Sequence, residues 1–144
     1  MPVTLRCKRF PLAAGEVARL WRAVIQLREH RDEDVTVCCV SVREMTELQA
    51  RYRGRPGATN VLTFSYTAEP KPEPMHDVAL CMAVINREGR RHSFNRRDYA
   101  ALILAHAFLH AVGLDHERSR QQALAMRQAE RFVLTRCGYG YTGW

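Results

Sequence analysis

The stretch HAFLHAVGLDH, at residues 106–116, constrains this chain more than any other, because it asks one apolar helix to carry two imidazoles. From Tyr99 to Val112 the strongly polar side chains are His106 and His110 alone. Burying two imidazoles in so apolar a segment is costly unless something satisfies them. A single histidine on such a helix is ordinarily a hydrogen-bonded core residue. A pair at i and i+4 differs, because the two rings lie one above the other on one face and can address a single point. Gly113 can leave the helix in a left-handed conformation, and the turn it allows can return His116 toward the same point. Three histidines with one open position make the donor set of a catalytic zinc site, not of a closed structural one.

Composition sets modest bounds. At 144 residues the chain reads most simply as one domain spanning 1–144, long enough to bury a real core. No apolar run approaches the length of a bilayer span, and the start, MPVTLRCKRF, lacks the apolar stretch of a secretion signal. Of the five cysteines, Cys38 and Cys39 are adjacent on an expected strand and so point to opposite faces, and no CxxC pair occurs. The expectation is reduced thiols, no cysteine metal site and a cytoplasmic protein.

Net charge is +7, and of 22 basic residues all but Lys8 and Lys71 are arginine. The arginines cluster: Arg51, Arg53 and Arg55, then Arg87, Arg90 and Arg91, then Arg96 and Arg97. Such clusters suit a phosphate backbone held by charge-assisted, often bidentate contacts. An ordinary solvated surface is the competing explanation.

Along the chain, strands and helices alternate without an internal repeat. Pro2–Cys7 alternates weakly as a strand, Val17, Leu20, Trp21, Val24 and Leu27 recur at helical spacing, and the β-branched run Val35–Val42 reads as a buried strand. Glu44–Tyr52 reads as a short helix, and Asn60–Tyr66 and Asp77–Ile85 as two further strands. Between those two, TAEPKPEPMH carries Pro70, Pro72 and Pro74, and its expectation is a mobile loop. A short helix near Asn86–Arg91 precedes Asn95, a cap for the histidine helix with Asp98 in capping-box position. Ser119 with Gln122 starts a last helix that Gly138 ends, and the tail YGYTGW is expected to be frayed or packed on the surface. The result is an α+β domain, a small mixed sheet of about four strands covered by helices.

HAFLHAVGLDH resembles the signature of the YbeY family of bacterial metal-dependent endoribonucleases, HGxLHLxGYDH. RYRGRPGATNVLTFSY resembles that family's YRGKxxPTDVLSF block, Asp77-Val78 falls at its GDI, and Met126 with Glu130 fits its MxxxE pattern. Together these span most of residues 35–137 in order. Ala107 replaces the family's glycine, Leu114 its tyrosine, Asn60 its aspartate and His76 its glycine. The resemblance implies a zincin-like metal-binding helix, one zinc per chain, and action on single-stranded RNA. It further implies maturation of the 3′ end of small-subunit ribosomal RNA and ribosome quality control. Carried over, His106, His110 and His116 are the metal ligands, and Arg53 faces the substrate phosphate. The implied partners are single-stranded RNA, ribosomal RNA or the small ribosomal subunit; from the composition no membrane contact is expected, and a monomer is the simplest state.

The residues themselves accommodate that chemistry but leave a gap. A metal with an open position polarises a phosphoryl oxygen and activates water, and an arginine stabilises charge developing on phosphate. The proton acceptor is not evident, for where a metalloprotease of the HExxH type carries glutamate this chain has Ala107. That argues against peptide hydrolysis and leaves metal-bound hydroxide or the substrate's own 2′-OH. Asp115 can orient a ligand or stabilise a turn, Asp77 can position the arginine or begin its strand, and Glu130 can be an intrahelical or core-facing partner. A noncatalytic ribosome-binding factor with a structural metal is the alternative of a different class.

Overall fold

The computed structural model describes residues 3–29, 33–68, 71–114 and 119–141. Nine elements follow in chain order: β1 (Val3–Arg6), α1 (Ala14–Leu27), β2 (Asp34–Cys39), α2 (Val42–Arg53), β3 (Val61–Ala68), β4 (Lys71–Leu80), α3 (Met82–Arg91), α4 (Arg96–Ala111) and α5 (Arg120–Arg136). The strands form one mixed sheet in the order β1-β2-β4-β3. β1, β2 and β4 are parallel, and β3 returns antiparallel on β4 as an edge strand.

Period-two alternation divides the sheet between two cores. Val35, Val37, Val78 and Leu80 face α1, α4 and α5, in a cluster around Trp21, Leu102, Phe108 and Leu134. Ala79 and Leu62 face the other way, against Met45 of α2 and Val84 of α3. α4 is the central helix: Tyr99 through Ala105 are all buried, as are Ala107, Phe108 and Leu109. Its start is capped as expected, with Asn95 Oδ1 accepting from the Asp98 amide at 3.1 Å. Asp98 does not complete a capping box; its Oδ1 accepts from the Gly140 amide, 3.1 Å away. Gly113, at φ +101°, ends the helix, and the Leu114 amide closes onto the Leu109 carbonyl at 3.0 Å.

Four sequence expectations are corrected. β4 begins at Lys71, so Pro72 and Pro74 sit in a strand and not in a loop; Pro70 lies outside the described residues. The reason is pairing: β4 meets β2 only from Met75 onward, and the β3–β4 ladder is itself irregular between Tyr66 and Ala68. Prolines in that arm therefore cost few ladder hydrogen bonds. β4 ends at Leu80 and α3 starts at Met82, earlier than Asn86. The tail is more than surface cover, because Tyr139 is buried and its hydroxyl donates to Glu16 Oε2 at 2.7 Å. Glu16 also pairs with Arg97, which ties α1, α4 and the chain end together.

The fourth correction concerns the thiols. Cys7 and Cys39 are joined in a disulfide, Cα to Cα 5.0 Å, while Cys38, Cys81 and Cys137 are free. Parallel pairing of Arg6 with Cys38 carries the next residues, Cys7 and Cys39, side by side at the ends of adjacent strands.

Candidate active site

His106 and His110 come together as the i, i+4 spacing requires, with ring centroids 4.6 Å apart. Both line a cleft of about 990 Å³ that runs along β3, the last turn of α2, α4 and α5. Among the described residues no set of three or more histidines, cysteines or carboxylates is grouped to hold a metal. His116 and Asp115, the expected third ligand and its neighbour, lie outside the described residues.

The question posed by a buried imidazole is answered for His106 by Glu130. That carboxylate is fully buried and stands 2.6 Å from His106 Nδ1. An ionised carboxylate only accepts, so Nδ1–H donates to it, and a neutral ring held this way turns its Nε2 lone pair away from Glu130. This is the arrangement by which an outer carboxylate fixes the tautomer and orientation of a metal-ligating histidine. Of the alternatives for Glu130, the core-facing partner is the one observed, reaching from α5 across to α4. Two imidazoles on one face of α4, one of them oriented by a buried carboxylate, are donors suited to zinc.

Arg53 ends α2, is exposed, and lines the same cleft with Arg55. Gly54, at φ +61°, caps α2 in the left-handed conformation and turns the chain there. Ser41 and Glu44 set its other end with a capping box, a pattern the sequence reading passed over. Arg127 of α5 supplies a further cation to the cleft, found by the fold and not by the clustering of arginines. The cluster at Arg87, Arg90 and Arg91 belongs to α3, and Arg90 lines a separate groove with Arg96 and Tyr99. Asp77 stands beside Tyr66, whose phenol its charge pushes above the usual range. Asn60 donates to Glu88 Oε1 at 3.1 Å, and the Tyr99 hydroxyl donates to the same oxygen at 2.9 Å. Burial is the larger cause of the raised Tyr99 phenol, and that hydrogen bond adds to it.

The strand wall of the cleft carries a second polar chain, running from an exposed serine to a buried pair. Thr63 Oγ1 approaches the Ala107 carbonyl at 3.4 Å, which turns its face of β3 toward α4. Two residues on, Ser65 shares that face and is exposed in the cleft. Its hydroxyl lies 2.7 Å from Nδ1 of buried His76, whose Nε2 lies 2.6 Å from Glu33 Oε1.

Fold and site thus define a small α+β protein whose central helix offers paired imidazoles to an arginine-lined cleft. A family model described as Endoribonuclease YbeY matches residues 5–138, and the chain belongs to that family. A protein of Paracidovorax citrulli named Endoribonuclease YbeY is 36% identical over 143 residues, covering 96% of this chain and 93% of that one. One of the same name from Delftia acidovorans is 39% identical, covering 91% and 82%. The solution structure of TM1509 from Thermotoga maritima is 20% identical with a TM-score of 0.59, covering 93% of this chain and 90% of that one, a likeness of fold. No described helix is long and apolar enough to cross a membrane.

Proposed function

We propose that the protein is a zinc-dependent endoribonuclease, one catalytic domain over residues 1–144, that cuts single-stranded RNA in maturing the 3′ end of small-subunit ribosomal RNA. The observation that carries the reading is the buried Glu130 behind His106, on the same helix face as His110, in a chain of an endoribonuclease family. A histidine pair needing only core satisfaction has no use for a cleft; these two rings line one.

His106, His110 and His116 would hold the metal. Once bound, it would supply Lewis-acid polarisation of a phosphoryl oxygen and a lowered pKa for bound water. Arg53, free of the core at the cleft edge, presents a planar fork to phosphate and stabilises the charge that develops there. Arg55 and Arg127 hold the strand by charge, which positions RNA without reading its bases. A flexible single strand can bend a phosphate into such a cleft, whereas a duplex keeps its phosphates on a stiff cylinder. Acting on ribosomal RNA, the protein would be a partner of the small subunit in the cytoplasm. The Cys7–Cys39 bond pulls the other way, since disulfides are rare in that compartment.

The test is direct. Purified protein loaded with zinc is incubated with single-stranded RNA, duplex RNA and casein, and its metal is counted. The expected result is about one zinc per chain and cleavage of the single strand alone. If the triple substitution His106→Ala, His110→Ala, His116→Ala keeps stoichiometric metal, the ligand assignment is wrong. Casein cleavage would favour the protease alternative, and bound metal without any cleavage the noncatalytic one.

A further inference from the structure

The unsolved element of the cleavage chemistry is the proton acceptor. Among the described residues Glu130 is the one carboxylate lining the cleft, and it is fully buried with an oxygen committed to His106. The position after His106 is Ala107, with nothing to offer a proton. The chain Ser65–His76–Glu33 reaches the same cleft from the sheet.

We propose that Ser65, His76 and Glu33 form a proton relay that removes the proton from the 2′-OH of RNA bound in the cleft. The proposal rests on the ribonuclease reading above and adds its general base. Its polarity comes from the order of the groups. Glu33, 5% exposed, accepts from Nε2–H of His76, 2% exposed. In that tautomer the neutral ring presents its Nδ1 lone pair, so Ser65 donates to it. The Ser65 oxygen then has its lone pairs free for the cleft, where an incoming hydroxyl must act as donor. The arrangement is that of a serine–histidine–carboxylate triad with the two ring nitrogens exchanged.

The relay is held from several sides. The Trp21 indole donates to the Glu33 carbonyl at 2.9 Å, and its ring meets the His76 ring edge-on with centroids 5.5 Å apart. Ser65 and His76 face each other as cross-strand partners of β3 and β4. A buried imidazole and carboxylate cost free energy on folding unless well paired, and a cleft-facing hydroxyl at the end of that pair gives the cost a use. The proposed substrate group is the one that separates RNA from DNA.

The step balances within the substrate and the relay. The 2′ oxygen bonds to phosphorus as its proton passes to Ser65 Oγ and the serine proton passes to His76 Nδ1. The bond from phosphorus to the 5′ oxygen breaks, and that oxygen takes a proton from water. Glu33 stabilises the imidazolium until it returns its proton to the hydroxide left behind. The products are a 2′,3′-cyclic phosphate and a 5′-hydroxyl. Ser65 is the catalytic residue of the relay, and His76 and Glu33 act through it.

Cleavage of a labelled single-stranded RNA is measured at saturating and subsaturating concentrations, and the new ends are identified by mass spectrometry. Wild type should leave cyclic phosphate ends. Ser65→Ala should lower kcat by about a hundredfold or more with KM changed less than about threefold, in line with loss of a general base. Ser65→Thr, which keeps the hydroxyl, should recover to within about tenfold of wild type. Ser65→Ala removes the partner of buried His76 Nδ1 and should melt several degrees below wild type, so cleavage is compared well below both melting temperatures, and the answer does not depend on whether His76→Gln folds. The relay is overturned if Ser65→Ala cuts at the wild-type rate, if Ser65→Thr is as impaired as alanine, if the ends are 3′-hydroxyls, or if phosphate is found on Ser65. A wild-type protein that cuts no RNA overturns the ribonuclease reading itself, and the relay with it.

Discussion

Replacing Glu130 by glutamine isolates what a buried carboxylate does for the histidine it touches. The substitution keeps size and leaves an amide oxygen able to accept from His106 Nδ1, now 2.6 Å away, but it removes the charge. Outer partners of this kind are worth about 10- to 100-fold in metal affinity, or roughly 1.4 to 2.7 kcal/mol. The loss can be read from stability. At free zinc a thousandfold above Kd, binding stabilises the fold by about 4 kcal/mol, and a hundredfold weaker site leaves about 1.4 kcal/mol. Unfolding entropy near 2.1 cal/mol/K per residue amounts to about 0.3 kcal/mol/K for a chain of 144 residues. The zinc-induced rise in melting temperature should therefore shrink by about 5 to 9 °C in Glu130→Gln.

The assay compares melting of wild type and variant with and without zinc, beside a chelator competition for Kd. The metal-free pair is the control, because glutamine also weakens a charge-assisted hydrogen bond in the core and lowers both curves together. Only the zinc increment reports on the site. A variant with the wild-type increment and a Kd within twofold would show that Glu130 serves packing alone, and would remove the main support for a metal on this helix.

Arg53→Ala should leave melting and metal content unchanged, since the side chain is exposed, while lowering RNA cleavage by about a hundredfold; Arg53→Lys should restore little, and normal cleavage by alanine would end its assignment to phosphate. The Cys7–Cys39 bond closes a loop with sequence separation 32, so its reduction should cost up to about 4 kcal/mol and roughly 10 °C of melting temperature, read beside alkylation and mass analysis of the native protein. The side chain of Arg97, with the Tyr139 hydroxyl and the Ala13 amide, lowers Glu16 from 4.5 to about 2. A depressed carboxylate stabilises the fold above its unfolded value, so the advantage of wild type over Glu16→Gln should be full above pH 4.5 and vanish as pH falls toward 2. Solvent screening of this partly exposed pair holds that advantage to the order of 1 kcal/mol, and a pH-independent difference in melting would refute the linkage.

What could be read from the chain beforehand divides by how far apart the cooperating residues lie. The juxtaposition of His106 and His110 is a property of one helix turn, and so is the Asn95 cap; local periodicity is enough to foresee both. The prolines of β4 do not betray a strand, because whether a strand tolerates proline depends on which of its edges is paired, and β2 joins only at Met75. Glu130 reaches His106 across 24 positions, and Cys7 meets Cys39 only because two strands pair in parallel with one register. The Ser65–His76–Glu33 chain is the extreme case. Its links span 11 and 43 positions, and each residue in isolation has an unremarkable explanation: a strand serine, a histidine where the family carries glycine, an acid before a strand. One antiparallel register sets Ser65 opposite His76, and the Trp21 indole, donating to the Glu33 carbonyl, completes the line. Local pattern therefore located the paired-imidazole wall of the cleft, whereas the wall proposed to receive the proton exists only once the sheet has formed.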